Sequence, residues 1–211
     1  MTVTAPVVHV IDDDEAVRSA LAMLLRSVGL TCAQYASAQQ FLSDYRPGAP
    51  GCLLLDVRLP GMSGLELQER LASAGFALPV IIMTGHGDIQ MAVRAMRAGA
   101  LDFVEKPFHD QTLLDRVHEA IERSLQVQDD ASERVQIERR YASLTEREKE
   151  VLARVVDGRP NKLIADDLGL SIRTVESHRA HIMEKMLAKS LSHLVRMAVT
   201  VLPLRGHATR R

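Results

Sequence analysis

Short apolar runs alternate with helix-spaced apolar stripes through the first half of the chain. Val7-Val-His-Val-Ile11 reads as a strand and is followed at once by Asp12-Asp13-Asp14. Residues 15–28 place Val17, Leu21, Leu24, Leu25 and Val28 at helical spacing, with Asp14 as cap and Gly29 as a suitable stop. A second strand is predicted near Thr31–Tyr35, then a short helix over 37–45. Cys52 to Leu55 is apolar at every position, so it reads as a third strand buried on both faces, ending on Asp56. Pro60 and Gly61 force a loop, and a helix is predicted over 65–74. Pro79-Val-Ile-Ile-Met-Thr84 is the fourth strand and 101–105 the fifth. A helix over 89–98, with Asp88 as its cap, stands between them. Five strands alternating with helices predict an α/β, doubly wound (flavodoxin-like) domain with a five-stranded parallel sheet.

The pattern then changes. From about Asp110 a helix carries Leu114, Val117, Ile121 and Leu125 at heptad-like spacing. The register weakens through Gln128, Ser132, Val135 and Arg139, which leaves a solvated linker or a helix extending between domains. Everything beyond Leu144 reads as helical. Thr145-Glu-Arg-Glu148 is a capping box, and that helix ends near Gly158. Asn161 can cap a second helix, Gly169 turns the chain, and Ser171 can cap a third with Val175, Ile182 and Met186 inward. The second and third have helix-turn-helix dimensions. A last helix over 191–202 stops at Pro203 and leaves a tail, 206–211. The expected organisation is an α/β domain at 1–125, a helical linker at 126–143, and an all-α, four-helix domain at 144–211.

Charge supports that division. The whole chain has net charge −1. Residues from 144 onward carry 13 Lys and Arg against 8 Asp and Glu, while the preceding part carries 13 against 19. An acidic first part and a basic second part suggest different partners. Trp is absent, which argues against base stacking as a binding theme. No apolar run approaches the ~20 residues of a membrane span, and residues 1–6 do not read as a secretory signal. Cys32 and Cys52 lie in apolar runs, so a reduced cytoplasmic protein with inert buried thiols is expected.

In a doubly wound sheet the ends of strands one, three, four and five meet at one crevice. Here those ends carry Asp12 and Asp13, Asp56, Thr84, and Lys106. Gathered carboxylates need a cation, and hard oxygen donors in an open site favour Mg²⁺. With that charge met, Asp56 can attack a phosphoryl group as a nucleophile. Thr84 can hydrogen-bond a phosphoryl oxygen, and Lys106 can neutralise another. Taken singly, each residue has a bland explanation as a loop, cap or solvated side chain; their joint placement at four strand ends does not.

Ile11-Asp-Asp-Asp14, Leu55-Asp-Val-Arg-Leu-Pro-Gly61, Met83-Thr-Gly-His-Gly87 and Glu105-Lys-Pro-Phe108 resemble the motifs of a two-component receiver domain. Leu144-Thr-Glu-Arg-Glu148, Asn161-Lys-Leu-Ile-Ala165 and Thr174-Val-Glu-Ser-His178, with Lys185, resemble a LuxR-type helix-turn-helix. Together they resemble a NarL/FixJ-family response regulator of the FixJ-like branch, over nearly the whole chain. The resemblance implies a non-enzymatic, cytoplasmic transcription regulator, commonly an activator. Phosphoryl transfer from a sensor histidine kinase to Asp56 would need Mg²⁺. It implies Asp13 and Asp56 as direct metal ligands, Asp12 acting largely through water, and the Arg58 backbone carbonyl as a further ligand. Phe103 matches the family's switch aromatic. Thr84, drawn to a phosphoryl group, would vacate space into which Phe103 turns, and the outer surface of the fourth helix, fifth strand and fifth helix would then change and dimerise. Of Met91, Val93 and Met96, two are expected in the core. RNA polymerase is an implied partner; a membrane is not.

The helix from Ser171 would read double-stranded promoter DNA. Arg173, Thr174, Glu176, Ser177, His178, Arg179 and His181 are left to face DNA or solvent, with Lys162 placed for a phosphate and Lys185 expected among the DNA contacts. Glu176 departs from a uniformly basic reader and can accept from cytosine N4. Two other functions would use parts of the same residue set. A haloacid-dehalogenase-like phosphatase would need a second acid two residues after Asp56, where Arg58 stands. A constitutive pseudo-receiver is opposed by the intact Asp12, Asp13, Asp56, Thr84 and Lys106 set.

Overall fold

The computed structural model describes residues 5–85 and 89–202. The chain divides into two compact units, residues 1–128 and 129–211. In the first, β1 (Val7–Ile11), β2 (Thr31–Tyr35), β3 (Gly51–Asp56), β4 (Val80–Thr84) and β5 (Asp102–Glu105) form one sheet of order β2-β1-β3-β4-β5. Every neighbouring pair is parallel, with Val7 of β1 level with Thr31 on one side and Gly51 on the other.

The strands are apolar throughout because both faces of the sheet are covered. Val8, Val10, Cys52, Leu54, Ile81 and Met83 pack with Leu21 and Leu25 of α1 (Glu15–Ser27) and with Leu113, Val117 and Ile121 of α5 (Asp110–Ala142). Ile11, Leu53, Leu55, Val80 and Ile82 face the other way. They meet α2 (Ala38–Asp44), α3 (Gly64–Ser73) and α4 (Ile89–Arg97) through Phe41, Leu67, Leu71 and Ala95. His9 of β1 is the polar intruder on that face. Its ring stacks on Tyr35, meets Tyr45 edge-on, and shares a 3.0 Å hydrogen bond with the Tyr35 hydroxyl. Burial without a counter-charge pushes its pKa down to about 4.

Local signals explain the helix ends. Asp14 accepts from the Ala16 amide at the start of α1, Ser37 caps α2, and Ser63 with Glu66 forms a full capping box on α3. Gly29, at φ +78°, ends α1 in the left-handed conformation that only glycine adopts cheaply. Of Met91, Val93 and Met96 only Met91 packs on the core, whereas Val93 and Met96 are exposed, against the expectation of two inside. Ala92 and Ala95 take the inward positions instead. Small side chains let α4 lie close to the sheet, and the bulkier ones are left outside. The expected Asp88 cap, the Pro203 stop and the 206–211 tail lie outside the described residues.

α5 runs unbroken for 33 residues. Its first half belongs to the core of the first unit; Ile137, near its end, is buried in the core of the second. That second unit continues with α6 (Glu146–Val156), α7 (Asn161–Leu168), α8 (Ile172–Lys185) and α9 (Leu191–Val201). Leu144, Val151, Leu152, Ile164, Val175, Ile182, Met186, Leu194 and Met197 close its core. Thr145 and Glu148 form the expected capping box, and Ser171 caps α8 through the Thr174 amide. Asn161 does not cap α7: the helix starts after Pro160 with no side-chain cap. The Asn161 amide oxygen instead accepts from Arg179 at 2.7 Å.

Candidate functional site

The first site lies at the carboxyl ends of the strands. Asp56 closes β3 and Thr84 closes β4; both are buried, as is Asp12, one residue past β1. The Lys106 amide donates to the Thr84 carbonyl at 2.7 Å, which continues the β4–β5 ladder and aims the lysine across the crevice. Its Nζ then lies 2.6 Å from Asp56 Oδ1 and 2.7 Å from Asp12 Oδ2. The loop after β3 curls back, so the Arg58 amide donates to Asp56 Oδ2 at 2.7 Å. On the other side the Asp14 amide donates to Asp12 Oδ1 at 3.0 Å. Among the described residues, the Thr84 hydroxyl donates to the neighbouring Gly85 carbonyl alone, at 3.2 Å.

The close turn depends on Gly64. A Cβ there would lie 2.1 Å from the Asp56 carbonyl oxygen, so only glycine lets the first turn of α3 rest against the strand end. The Gly64 amide donates to the Val57 carbonyl at 3.0 Å, which fixes the loop between them.

Burial pushes the Asp56 pKa up, and the Asp12 charge adds to this; Lys106 and the Arg58 amide pull the other way without cancelling it. Burial alone would lower Lys106, but hydrogen bonds to both carboxylates outweigh it and its pKa is raised. The ammonium is thus a firmly charged partner for two carboxylates.

The gathering of three carboxylates suggested by the sequence takes a looser form. Asp12 and Asp56 share Lys106, whereas Asp13 is exposed. Among the described residues no three His, Cys, Asp or Glu side chains close into a metal cage. The donors are all oxygen, and the side is open. That chemistry fits a hard divalent cation that binds through one or two carboxylates and keeps several waters. Phe103, on β5, is exposed, as are Val93 and Met96 of α4.

The second candidate site is α8. Arg173, Glu176, Ser177 and His181 are exposed along it; Thr174, His178 and Arg179 are half-buried; Lys162 is exposed on α7. The Thr174 hydroxyl shares a 2.7 Å hydrogen bond with Ser171, and Arg179 reaches the Asn161 side chain. The structure places Lys185 differently from the others. Its Nζ lies 2.7 and 2.9 Å from the two carboxylate oxygens of Glu148, which is buried in the core side of α6. Burial works against an ionised Glu148, yet Lys185 and the Thr145 amide and hydroxyl outweigh it and hold the carboxyl below its usual range. The capping-box spacing announced Glu148 as a cap; nothing in the sequence tied it to a lysine 37 residues away.

Residues 8–118 match the family described as response regulator receiver domain, and residues 142–198 match bacterial regulatory proteins, luxR family. A doubly wound sheet with its carboxylate–lysine crevice, joined to a helix-turn-helix unit, defines a two-component response regulator. The chain is 50% identical over 192 residues to the transcriptional regulatory protein FixJ of Azorhizobium caulinodans, covering 91% of each. It is 44% identical over 197 residues to the response regulator protein TodT of Pseudomonas putida, covering 93% of this chain and 87% of that one. The structure of the response regulator StyR aligns with a TM-score of 0.82 at 43% identity, over 93% of this chain and 99% of that one. The chain belongs to the NarL/FixJ family of response regulators. Its members are transcriptional regulators rather than enzymes, with a receiver domain and a LuxR-type DNA-binding domain. A receiver implies a histidine kinase partner, and receiver domains ordinarily use Mg²⁺. Among the described residues no helix is long and apolar enough to cross a membrane.

Proposed function

We propose that Asp56 is the phosphoacceptor of a phosphorylation-controlled, DNA-binding activator. The observation that carries this reading is the placement of Asp56: buried at a strand end, raised in pKa, and in contact with the Lys106 ammonium. The Asp56 carboxylate attacks the phosphorus of a kinase phosphohistidine, the P–N bond breaks, and the imidazole leaves with its electron pair. Lys106 moves from Asp56 to a phosphoryl oxygen, and the Thr84 hydroxyl exchanges its weak Gly85 contact for another. Asp12, Asp13, Asp56 and the Arg58 carbonyl are the residues that would hold Mg²⁺, which offsets the carboxylate charge and orients the phosphoryl oxygens when bound.

Phosphorylation adds roughly −1.5 to −2 charge and new acceptors. With Thr84 drawn inward, Phe103 turns in from its exposed position and the face formed by α4 and β5 rearranges to pair with a second copy. The dimer then places two α8 helices on promoter half-sites about one helical turn apart, ~34–36 Å. Lys162 and Arg179 meet phosphates, while Arg173, Thr174, Glu176, Ser177 and His178 lie toward base edges. RNA polymerase and a cytoplasmic setting complete the reading, with functional boundaries at 1–125, 126–143 and 144–211.

The test is incubation with acetyl phosphate and Mg²⁺, peptide mapping, and sedimentation. One phosphoryl group on Asp56 and a shift from monomer to dimer are expected; labelling that persists in Asp56→Asn, or in EDTA, refutes the assignment.

A further inference from the structure

We propose that Arg18 is a positioning residue for the divalent-cation site, an inference that rests on the Mg²⁺ reading above. Arg18 is half-buried on the second turn of α1. From one nitrogen, Nη1, it donates to the Asp12 carbonyl at 2.8 Å and to the Asp13 carbonyl at 2.9 Å. Two of the three carboxylates assigned to the cation project from these same two residues.

They are not equally well held. The Asp12 carboxylate is fixed by Lys106 and by the Asp14 amide. The Asp13 carboxylate is exposed, and among the described residues nothing hydrogen-bonds or pairs with it. Its aim therefore depends on the orientation of its own backbone. Arg18 bridges the carbonyls of the two peptides that flank the Asp13 Cα and fixes the planes from which its side chain springs. A cation this near a helix N-terminus is opposed by the helix dipole. Its location is explained by the two carbonyls it holds, not by helix electrostatics.

Two effects of Arg18 on cation binding have opposite signs. Its positive charge repels a divalent cation, so removing it should tighten binding. Its grip on the loop preorganises Asp13, so removing it should loosen binding. Residues that orient metal ligands typically change affinity 10–100-fold. Long-range repulsion across solvent, screened with a ~10 Å Debye length at 0.1 M salt, is the smaller effect.

Calorimetric titration of the full chain with Mg²⁺ decides between them, using the wild type, Arg18→Ala and Arg18→Lys. Arg18→Ala should bind Mg²⁺ about tenfold more weakly. Arg18→Lys, whose ammonium can still reach a carbonyl, should recover part of the loss. Labelling of Arg18→Ala by acetyl phosphate should return to the wild-type rate at saturating Mg²⁺. If the wild type binds Mg²⁺ and Arg18→Ala binds it equally well or more tightly, the role assigned to Arg18 is wrong while the metal site stands, even if the variant is less stable. Labelling that stays low at saturating Mg²⁺ also overturns it. A wild type that takes up no Mg²⁺ removes the metal site itself, and this inference with it.

Discussion

Lys185 should behave as part of the fold of the second unit rather than as a DNA contact. Its ammonium binds both oxygens of a carboxylate that is only 3% exposed. Lys185→Ala leaves Glu148 with the Thr145 contacts alone. Removing one partner of a buried ion pair costs about 3–5 kcal/mol. The Lys185 side chain is 38% exposed, so water can replace it in part. The cost should fall to about 1–3 kcal/mol, still above the ~0–1 kcal/mol of a surface pair. Urea unfolding of the full chain, followed by amide signals of α6 and α8, measures this. Lys185→Met with Glu148→Gln should recover part of the loss, because no buried charge is then left unpaired. The sign with pH is also set. The folded Glu148 pKa lies below its ordinary 4.5, so the stabilisation is present above 4.5 and is lost as pH falls through the depressed value. The variant should lose the share of that dependence that Lys185 supplies. An unchanged urea midpoint, together with a DNA salt dependence flattened by ~0.9 in log-log slope, would identify Lys185 as a phosphate contact and refute this reasoning.

Three further outcomes are expected. His9 takes up a proton at about pH 6.5 when unfolded but only near 4 when folded, so stability falls as pH drops through that window, by roughly 2 kcal/mol between pH 7 and 5; His9→Leu should flatten the urea midpoint against pH, and a parallel curve would clear His9 of the effect. Gly64→Ala forces a Cβ against the Asp56 carbonyl, so it should lower the acetyl phosphate labelling rate more than tenfold in protein that circular dichroism shows to be folded. Lys162→Ala should weaken binding to all duplexes and flatten the salt slope by ~0.9, while Glu176→Ala or Ser177→Ala should change the preferred sequence by ~1–3 kcal/mol per base contact; the reverse pattern in a salt titration on specific and scrambled DNA would overturn the docking of α8.

The α/β half was legible because two periodicities switch cleanly: strand runs such as Cys52–Leu55 are apolar at every position, and helices such as α1 repeat every three or four. With five strands in a doubly wound order, the chain order alone puts Asp56, Thr84 and Lys106 at neighbouring ends. The inward face of α4 was not legible, because alanine carries little hydrophobic signal and Met91, Val93 and Met96 look equivalent in one dimension. Ile137 was hidden for a related reason: the core cluster it joins is built from residues that follow it, such as Val151 and Leu194, so the local stripe fades where the packing changes hands. Glu148–Lys185 and Asn161–Arg179 are tertiary pairs, and no local spacing rule reaches across 37 or 18 residues.

The long α5 helix is continuous in geometry but not in what sustains it. No side chain from 129 through 135 is even half-buried, while Ser124 and Ile137 on either side are buried in different cores. A helical segment of seven residues has far less than the ~12–15 needed to persist by itself in water. Surface pairs such as Arg134–Glu138, 3.0 Å apart, add little, and the anchored turns that flank it do most to hold it. Its amides should therefore exchange with solvent long before those of Val117 or Ile137, and a protease should find its first cut there, releasing two fragments whose cores remain intact.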